Sequence, residues 1–261
     1  YLVLSGYGST IPAGVPLSTS TSALINRVVG TVDYTEVVNT TTSLTDWGNL
    51  GTPRSAVSVD GSAFWLGSDV DGVRYTTLGS TTTTSISTTN TDINQVNIFG
   101  GQLMASSATG LIRLGTVGSG LPITGPQILA NLPGFPVTGS HFSYITFDLN
   151  AGVVGEDTMY VTDDVAGLIY KYSLVAGTWT SNGSVIAPFV RGITGSESGG
   201  VVSLFATSDD GIGTSNLYSL SDASGYNGPF TSAVSTIATA AANTAFRGVA
   251  FAPLAPNQPP V

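Results

Sequence analysis

Charged residues with the potential to bind a ligand recur at two kinds of position in the sequence. Arginine opens three short apolar segments, at Arg54, Arg191 and Arg247, and His141 precedes a fourth. Acidic pairs lie in turn-like sequences, at Asp69 with Asp71, Asp163 with Asp164, and Asp209 with Asp210. Guanidinium groups bind carboxylate or sulfate through paired hydrogen bonds, and grouped carboxylates bind Ca²⁺. One interpretation is therefore an anion-binding site beside a calcium site.

The alternative interpretation is structural. Asp-Asp-Gly and Asp-x-Asp-Gly are common turn sequences, and the arginines would then bridge neighbouring parts of the fold through those aspartates. The sequence contains neither the twelve-residue EF-hand spacing nor a repeated glycine-aspartate calcium motif. The structural interpretation is therefore favoured, and Ca²⁺ remains only a possible cofactor.

Residues for covalent catalysis are scarce. His141 is the single histidine, and the sequence has no Gly-x-Ser-x-Gly elbow, His-Glu-x-x-His motif or phosphate-binding Gly-Lys loop. Paired carboxylates, with Asp69, Asp163 or Asp209 as candidates, have the chemistry for glycosidic acid–base work. Trp47 lies in the loop Asp-Trp-Gly-Asn and is predicted to be exposed, where it would stack on a sugar.

Composition excludes some classes of binding partner and indicates a cellular location. The 261 residues include 7 Lys+Arg and 16 Asp+Glu, a net charge of −9, so nucleic acid and anionic membranes are disfavoured. The absence of cysteine excludes disulfides and thiol catalysis. Few lysines with abundant Gly, Ser and Thr are typical of secreted bacterial proteins, which predicts an extracellular or cell-surface location.

The elements that position these residues are short strands. Apolar stretches of four to eight residues alternate with turns and repeat in four units, over residues 55–87, 95–132, 143–188 and 191–238. Each unit has four strands at a spacing of about 45 residues, as in a propeller blade. The second unit has predicted strands at 95–99, 102–106, 110–115 and 127–132, and the last strand of the third unit is predicted at 184–188. Residues 1–7, 24–31 and 34–38 are predicted as strands two to four of a further blade, and 247–252 as a solitary first strand.

This count predicts an all-β propeller of five four-stranded blades over residues 1–254, closed by the C-terminal strand beside the N-terminal one. Residues 255–261 are rich in proline and predict a linker to a following module. In a blade, the loop entering the first strand and the turn between strands two and three lie at the same end. The arginines and aspartates are therefore expected to converge at the mouth of the central channel.

Several segments also resemble a family of secreted bacterial β-propeller proteins, often found in large extracellular polypeptides with surface-sorting or Ig-like modules. The segments are YLVLSGYG, NRVVGTVD, PRSAVSVDGSAFWLG, GGVVSLFATS, SDASGYNGPF and, most specifically, AANTAFRGVAFAP. The resemblance covers nearly the whole chain and implies fold and location rather than chemistry. In that family a further stretch precedes the equivalent of Tyr1, which would supply the remainder of a sixth blade.

Two functions follow as expectations. The first is an extracellular, non-enzymatic module that binds polysaccharide or other surface proteins, or serves as a scaffold. The alternative is a calcium-assisted hydrolase or lyase, acting on a glycan, lactone or phosphate ester at the channel mouth. A third expectation concerns assembly, because exchange of the strand at 247–252 between copies would join chains.

Overall fold

The computed structural model describes residues 1–10, 13–211 and 213–255. Nineteen strands and one short 3₁₀ helix, Leu17–Thr19, are assigned in this part of the chain. The strands form five antiparallel sheets, each from consecutive strands. The sheets are blades of a β-propeller, which confirms the predicted all-β class and its near absence of helix. No helix in the described ranges is long and apolar enough to cross a membrane.

Two compact units are distinguished within the domain predicted over residues 1–254. The first consists of Tyr1–Asn131 together with, among the described residues, 252–255, and it contains three sheets. Its strands are β1 (Leu2–Tyr7), β2 (Arg27–Val32), β3 (Val38–Leu44), β4 (Pro53–Val57), β5 (Ala63–Ser68), β6 (Val73–Thr77), β7 (Thr84–Ser87), β8 (Gln95–Phe99), β9 (Gln102–Ser106), β10 (Leu114–Val117) and β11 (Leu129–Asn131). The sheets have the orders β1-β2-β3, β4-β5-β6-β7 and β8-β9-β10-β11.

The second unit, Leu132–Phe251, contains two sheets. Its strands are β12 (His141–Phe147), β13 (Thr158–Asp163), β14 (Leu168–Val175), β15 (Thr178–Ile186), β16 (Val190–Ser198), β17 (Val201–Ser208), β18 (Asn216–Asp222) and β19 (Ser235–Thr239). The sheets have the orders β12-β13-β14-β15 and β16-β17-β18-β19. Most of the predicted tail, residues 256–261, lies outside the described residues.

Burial of alternate residues explains why these segments form strands. Along β2, Arg27, Val29 and Thr31 are buried while the residues between them are partly exposed, the two-residue period of a strand. Buried apolar side chains form a core within each unit, around Phe64 and Ile86 in the first and around Tyr160 and Leu204 in the second. The cores hold the sheet ends, where the charged turns lie, in fixed positions.

Contacts between neighbouring sheets identify the place of each strand in its blade. The fourth strands β7 and β15 accept backbone hydrogen bonds, at Ile86 and Asn182, from the segment that precedes the fourth strand of the next sheet. β3 makes the corresponding contact, because Ser43 N donates to Ser80 O at 3.2 Å. β1, β2 and β3 are therefore strands two to four of their blade, as predicted.

The segment 247–252 differs from its prediction, since none of its residues belongs to a strand. It is held by other contacts in the second unit: the Phe251 ring meets Phe205 edge-to-face at 6.0 Å, and Phe246 N donates to Ser215 Oγ at 2.8 Å. A Cβ on Gly192 would lie 3.3 Å from Gly248 Cα. The segment thus lies against β16 and β17 without ladder hydrogen bonds, and the β1–β3 sheet has three strands among the described residues.

Three other predicted strands are displaced along the chain, and one of them, predicted over 184–188, is β15 (Thr178–Ile186). Residues 34–38 were predicted as a strand, but Asp33 Oδ1 accepts from Thr35 N and Val37 N and closes a turn, with Glu36 at φ 65°. The strand follows that turn, as β3. The strand predicted over 110–115 is instead β10, because Ser107 and Gly110 shape the turn before it.

Candidate ligand-binding surface

The turn joining β13 to β14 is built on Asp163, which is 3% exposed. Its Oδ1 accepts hydrogen bonds from Val165 N and Ala166 N at 3.2 and 2.8 Å, and its Oδ2 accepts from Ser140 N at 3.0 Å. Asp164 Oδ1 accepts from Ser140 Oγ at 2.5 Å. Asp163 therefore fixes the turn, while Asp164 keeps its Oδ2 oxygen directed toward Arg191.

The turn joining β17 to β18 repeats this arrangement. Asp209 is 7% exposed, and its Oδ1 accepts from Gly211 N at 3.0 Å. Asp210 Oδ1 accepts from Gly213 N and Thr214 N at 3.0 and 2.9 Å. Asp209 Oδ2 is left to receive Arg247 Nη1 at 2.5 Å. In both turns, carboxylate oxygens accept hydrogen bonds from the backbone and so fix the turn. One further oxygen, Asp164 Oδ2 in the first turn and Asp209 Oδ2 in the second, faces an arginine.

Arg191 and Arg247 join these two turns into a row of alternating charge. Arg191 Nε lies 3.6 Å from Asp164 Oδ2, and its Nη1 lies 4.0 Å from Asp209 Oδ2. We call the set Asp164, Arg191, Asp209 and Arg247 the arginine row. Because Arg191 opens the β16–β19 sheet and Asp164 belongs to the β12–β15 sheet, the prediction that arginines bridge neighbouring blades is confirmed here.

The Arg191 guanidinium has unfilled hydrogen-bonding capacity. Both ion-pair distances exceed hydrogen-bond length, and Nε is buried with no hydrogen-bond partner among the described residues. The guanidinium carbon lies 5.5 Å from the centre of the Phe142 ring, within the range of a cation–π contact. The side chain is nevertheless 40% exposed. Arg191 is therefore held in place, and because Nε is buried, the donors that a ligand can reach are those of its two Nη groups.

An exposed aromatic residue lies beside the row. Phe189, in the loop that enters β16, has φ 57° and is 54% exposed. Its carbonyl accepts from Asp209 N at 3.1 Å, which fixes it next to the carboxylate shared by the arginines. A bulky residue in the left-handed region is strained, and such strain persists where the surrounding structure imposes it, often at functional sites.

In the first unit, Arg54 is in a different state. Its Nη1 donates to Asp92 Oδ1 at 2.5 Å and to Asn94 Oδ1, and its Nη2 lies 4.0 Å from Asp69 Oδ2. Asp69 Oδ1 accepts from Thr52 N at 2.6 Å, and Asp71 Oδ2 accepts from Gly48 N. Arg54 is thus hydrogen-bonded within the protein, whereas Arg191 is not.

Trp47 and His141 do not form part of an exposed surface. The prediction that Trp47 is exposed is wrong: it is 0% exposed and packs in the core with Phe64 and Leu66. The four-residue loop that contains it folds inward, because burial of the large apolar surface of the indole ring stabilises the folded state. His141 is 3% exposed, and its ring lies 4.9 Å from the Phe135 ring.

The six aspartates proposed for calcium are distributed over several turns. In the part of the chain that the structure describes, no three His, Cys, Asp or Glu side chains group as metal ligands would. Each of the six accepts backbone or side-chain hydrogen bonds inside the protein, as set out above.

A buried ionic cluster in the second unit was not predicted. Lys171 Nζ lies 2.7 Å from Asp222 Oδ2, with the two side chains 0% and 3% exposed. Tyr160 Oη donates to the same oxygen at 2.7 Å, and burial together with this carboxylate raises the pKa of Tyr160. The available signal was Lys171 itself, the single lysine, placed between two tyrosines in an apolar strand.

Arg27 is a second buried cation that sequence reasoning missed. Its guanidinium donates to the carbonyls of Ser20, Gly48 and Gly51 at 2.7, 3.1 and 3.2 Å, and burial lowers its pKa. It lies 4.7 Å from the Tyr7 ring. Arg27 therefore holds the loop before β4 and has no room for a ligand.

Similarity to solved structures is at the level of fold. The periplasmic gluconolactonase of Pseudomonas aeruginosa is 11% identical, with a TM-score of 0.51 over 94% of this chain and 70% of that one. A putative 6-phosphogluconolactonase from Bacteroides uniformis is 14% identical, with a TM-score of 0.48 over 93% and 68%. A computationally designed protein is 10% identical, with a TM-score of 0.42 over 74% of this chain and only 54% of its own. No family model and no curated protein matches the sequence.

Proposed function

We propose that the chain is an extracellular, non-enzymatic β-propeller module of a bacterial surface or secreted protein, and that its arginine row binds ligands carrying a carboxylate or sulfate group. The resemblance to secreted bacterial propeller proteins supports the location and the family. The acidic, lysine-poor and cysteine-free composition supports the location as well.

The observation that carries the binding role is Arg191. A guanidinium presents up to five donors and prefers planar, bidentate acceptors. Arg191 is positioned by Phe142 and two carboxylates, yet neither carboxylate comes within hydrogen-bond distance. An incoming carboxylate or sulfate would supply the missing acceptors. Arg247, 75% exposed, extends the same surface.

The state of the carboxylates supports a non-enzymatic role. Asp163 accepts three backbone N–H groups, and Asp209 is shared between Gly211 N and Arg247. A general base must be free to take a proton from the substrate, and these oxygens would first have to break the bonds that hold their turns. Asp163 acts instead as the support of its turn, and Asp209 as a support of Arg247 and Arg191.

The test is a binding titration by calorimetry, with dextran sulfate and polygalacturonate as probes. Arg191→Gln should weaken binding by about 10-fold or more, the value of one charge-assisted hydrogen bond. The matched control is Arg54→Gln, which removes an arginine from the equivalent strand position but one already hydrogen-bonded to Asp92. It should change binding less than about twofold, and melting curves should show that both variants are folded.

Two results would contradict the proposal. The binding role is refuted if neither probe binds saturably, or if Arg54→Gln weakens binding as much as Arg191→Gln. The non-enzymatic role is refuted by turnover of a polysaccharide, lactone or phosphate ester, with and without added Ca²⁺, that is lost in Asp163→Ala or Asp209→Ala. Gluconolactone belongs in that screen, since a gluconolactonase shares the fold.

A further inference from the structure

We propose that the ligand of the arginine row is a uronic acid residue of a polysaccharide, bound with its carboxylate on Arg191 and its ring against Phe189. This inference rests on the proposed function and adds the ligand class to it. The observations that carry it are the alternation of charge along the row, the state of Asp164 and the position of Phe189.

The row is neutral, with two arginines and two aspartates, and therefore offers both donors and acceptors. Asp164 accepts one hydrogen bond, from Ser140 Oγ to its Oδ1, while its Oδ2 faces Arg191 at 3.6 Å. Either a sulfate or a carboxylate bound at Arg191 meets Asp164 and Asp209 as like charges, and a sulfate group itself has only acceptors. A uronic acid carries hydroxyl donors beside its carboxylate, so it matches the aspartate as well as the arginine.

Long-range electrostatics point the same way. The chain carries a net charge of −9, which repels densely charged polyanions approaching from solution. The arginine row has no excess positive charge with which to overcome that repulsion. A ligand with one charge per sugar ring is therefore favoured over a sulfate-dense polymer.

Phe189 supplies an apolar surface for the ring of the sugar. One face of a pyranose presents mainly C–H groups, which pack on an aromatic side chain. The Phe189 ring is more than half exposed, and its carbonyl is bonded to Asp209 N at 3.1 Å. Its left-handed backbone, φ 57°, would suit Asn or Gly better than Phe. An exposed aromatic residue at such a position indicates a role for the ring itself.

The experiment is calorimetric titration of the whole chain with trigalacturonate, with its neutral methyl ester and with dextran sulfate. Trigalacturonate should bind about 10-fold more tightly than the ester. Arg191→Gln should abolish that difference, because it weakens the acid about 10-fold and leaves the ester within about twofold. Phe189→Asn, which suits the backbone, should weaken both sugars about fivefold, whereas Phe189→Tyr should retain binding.

The outcomes separate this inference from the function on which it rests. Saturable binding of dextran sulfate at Arg191, with trigalacturonate no tighter than its ester, overturns the uronic acid and leaves the anion-binding role intact. Binding of none of the three probes overturns both. Equal affinities of Phe189→Asn and the unaltered chain for trigalacturonate overturn the role of the ring.

Discussion

Replacing Lys171 with methionine should destabilise the chain by about 3 kcal/mol, at the lower end of the cost of breaking a buried ion pair. The ammonium group donates to Asp222 Oδ2, Ser224 Oγ and Gly225 O, each at 2.7 Å. Its removal leaves Asp222 charged, buried and without a cation. Asp222 still accepts hydrogen bonds from Tyr160 Oη at 2.7 Å and from Ser224 N at 2.9 Å, so the loss of stability should stay near the lower end of that range.

Urea denaturation followed by tryptophan fluorescence measures this loss, since Trp179 lies in the same sheet as Lys171. For a chain of this size about 3 kcal/mol corresponds to a fall in melting temperature of roughly 6–12 °C. The double variant Lys171→Met with Asp222→Asn removes both charges while Tyr160 keeps an acceptor. It should recover about 2 kcal/mol of the loss.

The same cluster has a defined pH dependence. Burial by itself raises the pKa of Asp222, but hydrogen bonds from Lys171, Ser224 and Tyr160 outweigh burial and lower it. Because the folded-state pKa is lowered, the stabilisation is present above the unfolded value of about 3.9 and is lost as the pH falls through the folded value. In Lys171→Met the deficit should shrink in acid as Asp222 is protonated. A loss below about 1 kcal/mol, or a double variant no more stable than the single one, would refute this reasoning.

Two further substitutions test the environment of particular residues. Burial, with smaller effects of Asp148 and Asp157, raises the pKa of Glu156, so the folded state favours its protonated form. Glu156→Gln should therefore raise the melting temperature at pH 7, and the gain should shrink as the pH falls through the folded-state pKa and vanish below the unfolded value of about 4.3; an equal gain at pH 7 and at about pH 3.5 would contradict this. A Cβ at Gly115 would lie 2.2 Å from the Ala130 carbonyl oxygen, so Gly115→Ala should disrupt the β10–β11 pair and destabilise by about 1–3 kcal/mol in urea denaturation. Gly6→Ala, with nothing within 4 Å of the new Cβ, is its control and should be neutral or slightly stabilising.

The strands and their grouping were predictable because they depend on local pattern. Segments 95–99 and 102–106 were predicted with the bounds of β8 and β9, since a Gly-Gly turn separates two apolar runs there. The turn chemistry of Asp163 and Asp209 was predictable for the same reason. The segment 247–252 has a strand-like pattern, but pairing depends on a partner edge and not on the segment alone.

The state of each candidate side chain was not predictable, because it depends on residues distant in sequence. Arg54 and Arg191 open equivalent strands. The Arg54 guanidinium donates hydrogen bonds to Asp92 and Asn94, whereas the Arg191 Nε has no hydrogen-bond partner among the described residues. Trp47 lies in a polar loop and is buried all the same. Phe189 gives no signal in the sequence, since its importance comes from a positive φ and from its exposure.

Ligand binding at Arg191 is tested most directly by nuclear magnetic resonance of the arginine Nε–H groups, recorded while trigalacturonate is added. The chain has six arginines, so the signals can be assigned by single substitutions to Gln. The Arg191 signal should shift saturably, because a ligand bound by its Nη groups changes the environment of the same guanidinium, whose Nε is buried and has no hydrogen-bond partner among the described residues, while the Arg54 signal should stay in place. Saturable binding that leaves the Arg191 signal unmoved, or that shifts Arg54 instead, would contradict a binding site at the arginine row.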